Sequence, residues 1–92
     1  MRLLPQMQNK LTEVGTNIKL ARCRRKLTLG QVAERAGISI LILLDIEIGD
    51  PDCSMGYYLS VLRVLNLADD VYRIAENDPL GRKLQDIELL NE

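Results

Sequence analysis

The residues of this sequence most capable of chemistry are five cations in a short stretch: Lys19, Arg22, Arg24, Arg25 and Lys26. Residues 1–35 carry eight basic and two acidic side chains, a sum of +6, whereas residues 36–92 carry four and eleven, a sum of −7. Such a cluster can bind the phosphates of a nucleic acid. It is also typical of a helix C-terminus, where cations offset the helix dipole, and charge alone favours this second interpretation.

Catalytic and metal-binding chemistry has little support in the sequence. The chain contains no histidine, which excludes a histidine-based active site or metal site. The carboxylate pairs Asp50/Asp52 and Asp69/Asp70 fit turns and helix caps, and the sequence contains no Gly-rich phosphate loop or nucleophile–base pair. We therefore expect a protein that is not an enzyme and holds neither a cofactor nor a metal ion.

Length and composition indicate one small folded domain, because 92 residues with 47% apolar content can bury a single modest core. Cys23 and Cys53 form no CxxC pair, which is typical of reduced thiols in a cytosolic protein. The longest apolar run, residues 40–44, is too short to span a membrane, and residues 1–10 do not resemble a secretory leader. We expect a cytoplasmic protein without membrane contact.

Turn and cap residues divide the chain into about five short helices. Apolar residues at spacings of three and four predict a first helix from near Leu11 to Arg25, with its inner stripe at Leu11, Val14, Ile18 and Ala21. Thr28 and Gln31 can form a capping box that starts a second helix, and Gly37 can end it. The buried side of this helix is expected at Val32, Ala33 and Ala36.

A third helix is predicted over residues 40–48, with Ser39 as its cap and Gly49 after its end. Residues 44–48 alternate between apolar and acidic types, which would also fit a strand. We prefer the helix because a lone strand would have no pairing partner in the rest of the chain.

Three further segments complete the prediction. Ser54 can cap a fourth helix with inner residues Met55, Tyr58, Leu59, Leu62 and Leu65. A fifth helix is expected over residues 68–76, with Val71 and Ile74 facing inward. The tail, residues 80–92, is expected to form a short amphipathic helix with its stripe at Leu80, Leu84 and Ile87.

Residues 28–49 have the layout of a helix-turn-helix, in which two short capped helices meet at a tight turn. Gly37 permits the turn, and Ile38 is expected to fill the core beneath it. Leu43 and Ile46 are expected to hold the second helix of the unit against the first. In such a unit the second helix enters the DNA major groove, and helix N-termini with nearby cations contact phosphates.

The segment from about Val14 to Leu67 resembles the lambda-repressor/Cro-type helix-turn-helix family, often called the XRE family. The matching residues are IKLARCRRKLT, QVAERAGIS and IEIGDP. The following stretches MGYYLSVLRVLNL and DPLGRKLQDIEL are similar to HipB-like members, which pair with HipA-type kinases as antitoxin and repressor.

The resemblance implies an all-α, five-helix lambda-repressor-like bundle with a short C-terminal tail helix, working as a homodimer on double-stranded DNA. It implies an N-terminal extension (residues 1–10), the helix-turn-helix domain (residues 11–78) and a C-terminal tail (residues 79–92). The implied phosphate contacts are Lys19, Arg22, Arg24, Arg25, Lys26, Thr28 and Gln31. The implied DNA-reading residues are Ser39, Ile40, Leu41, Ile42, Leu44 and Asp45.

The sequence departs from the family pattern at the positions that would read DNA. Leu29 stands where the family often has a phosphate-contacting glutamine, and residues 36–50 contain no basic side chain. Base edges are read by hydrogen-bond donors and acceptors, whereas an aliphatic side chain can contact only a thymine methyl group. Two hypotheses follow. The protein binds DNA in repression, as an antitoxin of a HipA-like pair, or its apolar reading helix binds a protein partner or its own copy.

Overall fold

The computed structural model describes residues 1–84, 88 and 90, and these residues form helices and no strand. In order along this part of the chain, the helical segments are α1 (Pro5–Arg24), α2 (Leu29–Ala36), α3 (Ile40–Ile48), α4 (Met55–Val64), a 3-10 helix (Ala68–Arg73) and α5 (Pro79–Lys83). The prediction of an all-α fold is confirmed. None of the helices in the described ranges combines the length and the apolar content that a membrane crossing needs.

The caps of α2 and α3 are those that the sequence predicts. The Thr28 hydroxyl accepts a hydrogen bond from the Gln31 backbone N–H at 3.1 Å, and the Gln31 side chain accepts one from the Thr28 N–H at 2.9 Å. The Ser39 hydroxyl accepts from the Ile42 N–H at 3.1 Å and starts α3. Gly37 ends α2 with a φ of 71°, in the left-handed region that glycine adopts without a steric penalty. Both helices therefore begin and end where predicted.

The start of α1 was predicted wrongly, since the helix begins at Pro5 and not near Leu11. Proline suits the first turn of a helix because its φ is preset and its missing N–H has no intrahelical partner there. Residues 5–10 are mostly polar and exposed, so the sequence has no apolar stripe here that would predict a helical turn. The Gln8 side chain donates to the Gly49 carbonyl oxygen at 2.8 Å, which attaches the early turns of α1 to the end of α3.

The core lies where α1, α2, α3 and α4 meet, and its buried apolar residues are Ile18, Ala21, Val32, Ala33, Leu43, Ile46, Tyr58, Val61 and Leu65. The predicted inner residues Val32, Ala33, Leu43 and Ile46 are confirmed, because they are at most 2% exposed, and Ala36 packs against the core while partly buried. Ile38 packs against this core from the turn, also as predicted. On α1 the predicted stripe holds at Leu11, Ile18 and Ala21, but Val14 is exposed.

The inner face of α4 differs in part from the predicted one. Tyr58 and Leu65 are buried, and Leu62 packs against the core, but Met55 and Leu59 are exposed. Val61, which was not predicted to face inward, is fully buried. A short helix rich in apolar residues offers more than one possible stripe. The packing of α4 against α2 and α3 selects one of them, and sequence spacing alone does not show which.

The fifth helical segment is a 3-10 helix that ends at Arg73, so the predicted extension to Glu76 was wrong. Ala75 has a φ of 60°, which does not occur inside a right-handed helix. Val71 is half-buried as predicted, whereas Ile74 is exposed.

In the tail, α5 covers Pro79–Lys83, and the Asp78 side chain accepts from the Gly81 N–H at 2.9 Å. Leu80 and Leu84 of the predicted apolar stripe are exposed. Ile87, the third member of that stripe, lies outside the described residues, as do residues 85, 86, 89, 91 and 92. The predicted tail helix over residues 80–92 is therefore described only in its first part.

Two glycines allow α1 and α3 to pack closely. A Cβ atom on Gly15 would lie 2.5 Å from the Ile46 carbonyl oxygen, and a Cβ atom on Gly49 would lie 2.7 Å from the Thr12 Cα. Both contacts involve backbone atoms, which cannot move aside as a side chain could. The pairings Gly15–Ile46 and Thr12–Gly49 also show that α1 and α3 run antiparallel.

We expect Gly15→Ala to destabilise the protein by about 1–3 kcal/mol, because the added methyl group would overpack the contact between α1 and α3. Urea denaturation followed by circular dichroism measures the change. Gly56→Ala is the matched control, since its Cβ atom would meet only the Ser54 hydroxyl at 3.7 Å. There, greater helix propensity should leave stability equal or raise it by up to about 1 kcal/mol. Equal stability of the two variants would contradict the close packing described here.

Candidate nucleic-acid interface

The basic end of α1 leads directly into α2, and the first turns of α2 and α3 are neighbours. The chain then passes from Arg24 to the first residue of α2, Leu29, through four residues. A Cβ atom on Gly30 would lie 4.0 Å from the Ile40 Cδ1 atom, so the first turns of α2 and α3 are neighbours. Backbone N–H groups at helix N-termini favour anions.

Four of the five clustered cations are exposed at this end: Lys19, Arg24, Arg25 and Lys26. The Arg25 guanidinium donates to the Ala21 carbonyl oxygen at 2.9 Å, which holds this side chain near the last turn of α1. Lys26 adopts a φ of 55° directly after the helix. We name these four residues the basic cluster. All four belong to the predicted phosphate contacts, and all four are accessible to a partner.

Arg22, the fifth cation, has a different role. Its Nε atom donates to the Glu47 carboxylate at 2.8 Å and its Nη2 atom donates to the second oxygen at 3.1 Å. Its Nη1 atom donates to the Leu27 carbonyl oxygen at 3.0 Å. The side chains of Arg22 and Glu47 are only 11% and 5% exposed. The hydrogen bond to Glu47 also raises the pKa of the guanidinium. This corrects the predicted phosphate contact, because Arg22 is engaged inside the fold.

Thr28 and Gln31, two further predicted phosphate contacts, are exposed at the start of α2. Their side chains hydrogen-bond to each other's backbone in the capping box. Leu29, which follows the cap, is half-buried and packs against the core. The first turn of α2 thus offers backbone groups and polar caps to an anion, while the aliphatic residue at Leu29 contributes to packing.

The outward side of α3 is aliphatic. Ile40, Leu41, Leu44 and Ile48 are 48%, 72%, 39% and 64% exposed, and we name these four residues the aliphatic face. Ile40, Leu44 and Ile48 follow one another at spacings of four and therefore form one row along the helix. The backbone of α3 begins at the Ser39 cap, whose hydroxyl is engaged with the Ile42 N–H.

Three of the predicted DNA-reading residues lie outside the aliphatic face: Ser39, which is the N-cap of α3, Ile42 and Asp45. Ile42 is half-buried and packs against the core, which corrects the prediction that it faces outward. Asp45 is half-buried, and its negative charge helps to raise the pKa of both Tyr58 and Cys53. The Asp45 carbonyl oxygen accepts a hydrogen bond from the Asp50 N–H at 2.9 Å, where the chain leaves α3.

Burial is the main cause of the raised pKa values of Tyr58 and Cys53. The Tyr58 hydroxyl is buried without a hydrogen-bond partner among the described residues, and desolvation raises its pKa to about 12. Desolvation also raises the pKa of the Cys53 thiol, with a further contribution from the charges of Asp45 and Asp50. Cys53 is thus held as a thiol in a packing position. Both Cys53 and Cys23 are free, and Cys23 is exposed on α1.

An apolar groove of about 380 Å³ lies on another side of the molecule, between α1, α4 and the 3-10 helix. Val14, Met55 and Ile74 line it and remain exposed, although all three were predicted to face inward. Asn17 and Asp70 are polar members of its lining. Among the described residues, no group of three or more acidic or cysteine side chains could hold a metal ion.

Sequence reasoning missed Glu47 as the partner of Arg22. A signal was present, because Glu47 follows Leu43 and Ile46 at the spacing of the buried side of α3. A charged residue at a buried helical position needs a partner of opposite charge.

Comparison of the chain with protein-family models, curated proteins and solved structures finds no match in any of the three.

We expect Glu47→Ala to destabilise the protein by about 3–5 kcal/mol, because it leaves the buried Arg22 without its counter-charge. Replacing both residues, as Arg22→Met with Glu47→Leu, should recover most of that loss, since no unpaired charge then remains. Denaturant titrations of wild type, Arg22→Met, Glu47→Leu and the double variant give the coupling energy. Glu34→Ala, at an exposed position, is the control and should change stability by less than about 0.5 kcal/mol. A purely additive cycle would contradict the pairing.

Proposed function

We propose that the protein is a cytoplasmic DNA-binding transcriptional regulator of the lambda-repressor/Cro (XRE) helix-turn-helix type that acts as a repressor. The observation that carries this proposal is the position of the basic cluster along the chain just before α2, whose first turn lies next to the first turn of α3. Three elements then offer positive potential to one partner. Double-stranded DNA is the polyanion whose groove admits a helix such as α3.

Phosphate contacts would supply most of the affinity in this proposal. The basic cluster provides four cations per protomer, and the N–H groups at the starts of α2 and α3 add fixed dipoles. Each phosphate that is neutralised releases counterions, so binding should weaken steeply as salt is added. On α3 itself, Glu47 adds little repulsion, because its charge is neutralised by Arg22 inside the fold.

The working unit in this proposal is a homodimer. Two copies of α3 would then enter successive major grooves about 34–36 Å apart, one turn of DNA.

The resemblance of the tail to HipB-like proteins supports a narrower version, in which the protein is the antitoxin and autorepressor of a HipA-like kinase. A kinase-like gene beside this one would support that version.

We expect the combined variant Arg24→Ala, Arg25→Ala and Lys26→Ala to bind duplex DNA more weakly than wild type. The slope of log affinity against log salt should fall by up to about 2.7 per protomer, because three phosphate contacts are lost. Fluorescence anisotropy with a duplex from the protein's own promoter measures both quantities across a salt series.

The matched control removes three exposed cations elsewhere, as Arg2→Ala, Lys10→Ala and Arg73→Ala. This variant has the same net charge but should retain nearly the wild-type slope. If both variants lose the same slope, net charge and not the basic cluster governs binding. If wild type binds no duplex even at low salt, the proposed function is wrong.

The aliphatic face favours a second candidate function, a protein-interaction module in which α3 packs against another chain. Four exposed aliphatic residues on one helix are a typical mark of an interface. On this alternative, α3 keeps the helix-turn-helix framework but binds a partner or a second copy in place of DNA.

If α3 forms an interface between copies, Leu41→Glu should dissociate the assembly, because it places a charge in an apolar contact. Light scattering after size-exclusion chromatography measures the mass. Leu59→Glu is the control, as Leu59 is also an exposed leucine but lies on α4. An unchanged mass for Leu41→Glu would count against self-association through α3.

A further inference from the structure

We infer that the aliphatic face of α3 recognises the C5-methyl groups that line the DNA major groove, so that the protein selects thymine-rich or cytosine-methylated duplexes. This inference rests on the proposed function and specifies the chemistry of its ligand. It names the feature of DNA that the side chains of α3 can contact in place of hydrogen-bonding base edges.

The chemistry of the aliphatic face leaves one kind of direct base contact. Ile40, Leu41 and Leu44 have neither donors nor acceptors in their side chains, and they project from the first half of α3. The N-terminal half of a reading helix is the part that contacts bases. In the major groove the hydrogen-bonding groups of every base pair need polar partners, whereas the thymine methyl group is apolar. A methyl group at C5 of cytosine occupies the same position on its ring.

The spacing along α3 fits more than one methyl contact. Residues four apart on a helix are separated by about 6 Å along its axis. Successive bases on one strand rise by about 3.4 Å, so Ile40 and Leu44 span roughly two base steps. Leu41 lies beside this row and is the most exposed member of the aliphatic face. A short run of methylated pyrimidines would therefore meet several aliphatic side chains together.

The charges around α3 favour DNA over a protein or a second copy as the occupant. The basic cluster immediately precedes α2, and the first turn of α2 lies next to the start of α3, so these cations are available to the phosphates of a duplex that contacts both helices. Of the two carboxylates on α3, Glu47 is paired with Arg22 in the interior and Asp45 is half-buried. If a second copy packed on α3 instead, the basic clusters of both copies would lie near one interface and would repel each other.

The test compares duplexes that differ only in C5-methyl groups. The first pair is an alternating adenine–thymine duplex and its deoxyuridine counterpart, and the second is a mixed-sequence duplex with cytosine or 5-methylcytosine. We expect tighter binding to the methylated member of each pair, by roughly fourfold for each methyl group that is buried. The salt dependence should be equal within a pair, because the phosphates are unchanged.

Leu41→Ala removes an exposed side chain and should bring the affinity ratio within each pair closer to one without changing the salt slope. Leu59→Ala, an equally conservative change at an exposed leucine on α4, should leave the ratio as in wild type. Circular dichroism checks that both variants are folded, and Ile40→Val gives a milder second change on the same face.

Binding that is equal for the methylated and unmethylated members of either pair would overturn this inference while leaving the proposed function intact. A preference that Leu41→Ala and Ile40→Val do not alter would also overturn it, since another surface would then make the contact. No binding to any duplex at low salt would overturn the proposed function, and this inference with it.

Discussion

The buried pair between Arg22 and Glu47 is the interaction on which the orientation of α3 depends. α3 is aliphatic on nearly every side, so hydrophobic burial alone gives little reason for one rotation about its axis over another. Glu47 removes this ambiguity, because its carboxylate is satisfied only beside the guanidinium on α1. Gly15 and Gly49 let the two backbones approach closely enough for that contact. Breaking such a pair leaves an uncompensated buried charge, so any rotation of α3 that separates Glu47 from Arg22 is strongly disfavoured.

Fixing the rotation of α3 also determines which residues remain outside. Once Leu43, Ile46 and Glu47 face inward, the row Ile40–Leu44–Ile48 must face solvent. The ion pair also takes the charge of Arg22 off the surface. It neutralises the charge of Glu47 on α3, the helix that would approach DNA. The surface left at this end is an aliphatic helix beside four cations, and neither feature alone would distinguish a DNA ligand from a protein one.

Local signals in the sequence were sufficient for much of the fold. Thr28 with Gln31, Ser39, Ser54, Gly37 and Gly49 act on backbone groups within a few residues, and the helix ends they predict are those observed. Contacts between distant segments were harder to foresee. Arg22 and Glu47 are 25 residues apart, and the choice of inner stripe on α4 depends on how α2 and α3 pack against it. The first turn of α1 carries mostly polar side chains, so no apolar stripe predicted it. It is held by the hydrogen bond from Gln8 to Gly49, 41 residues further along the chain.

A helix without hydrogen-bonding side chains can still be selective, because selectivity also depends on the groups that an interface leaves unsatisfied. A base edge desolvated against an aliphatic residue loses water and gains no partner, which disfavours that base without any direct repulsion. A methyl group in the same position loses nothing and gains burial. Affinity and selectivity can therefore reside in different residues: the basic cluster would attract any duplex, and the aliphatic face would favour those whose groove offers the most apolar surface. Arg22 belongs to neither set, because its guanidinium is paired with Glu47 in the interior, where it fixes α3 against α1.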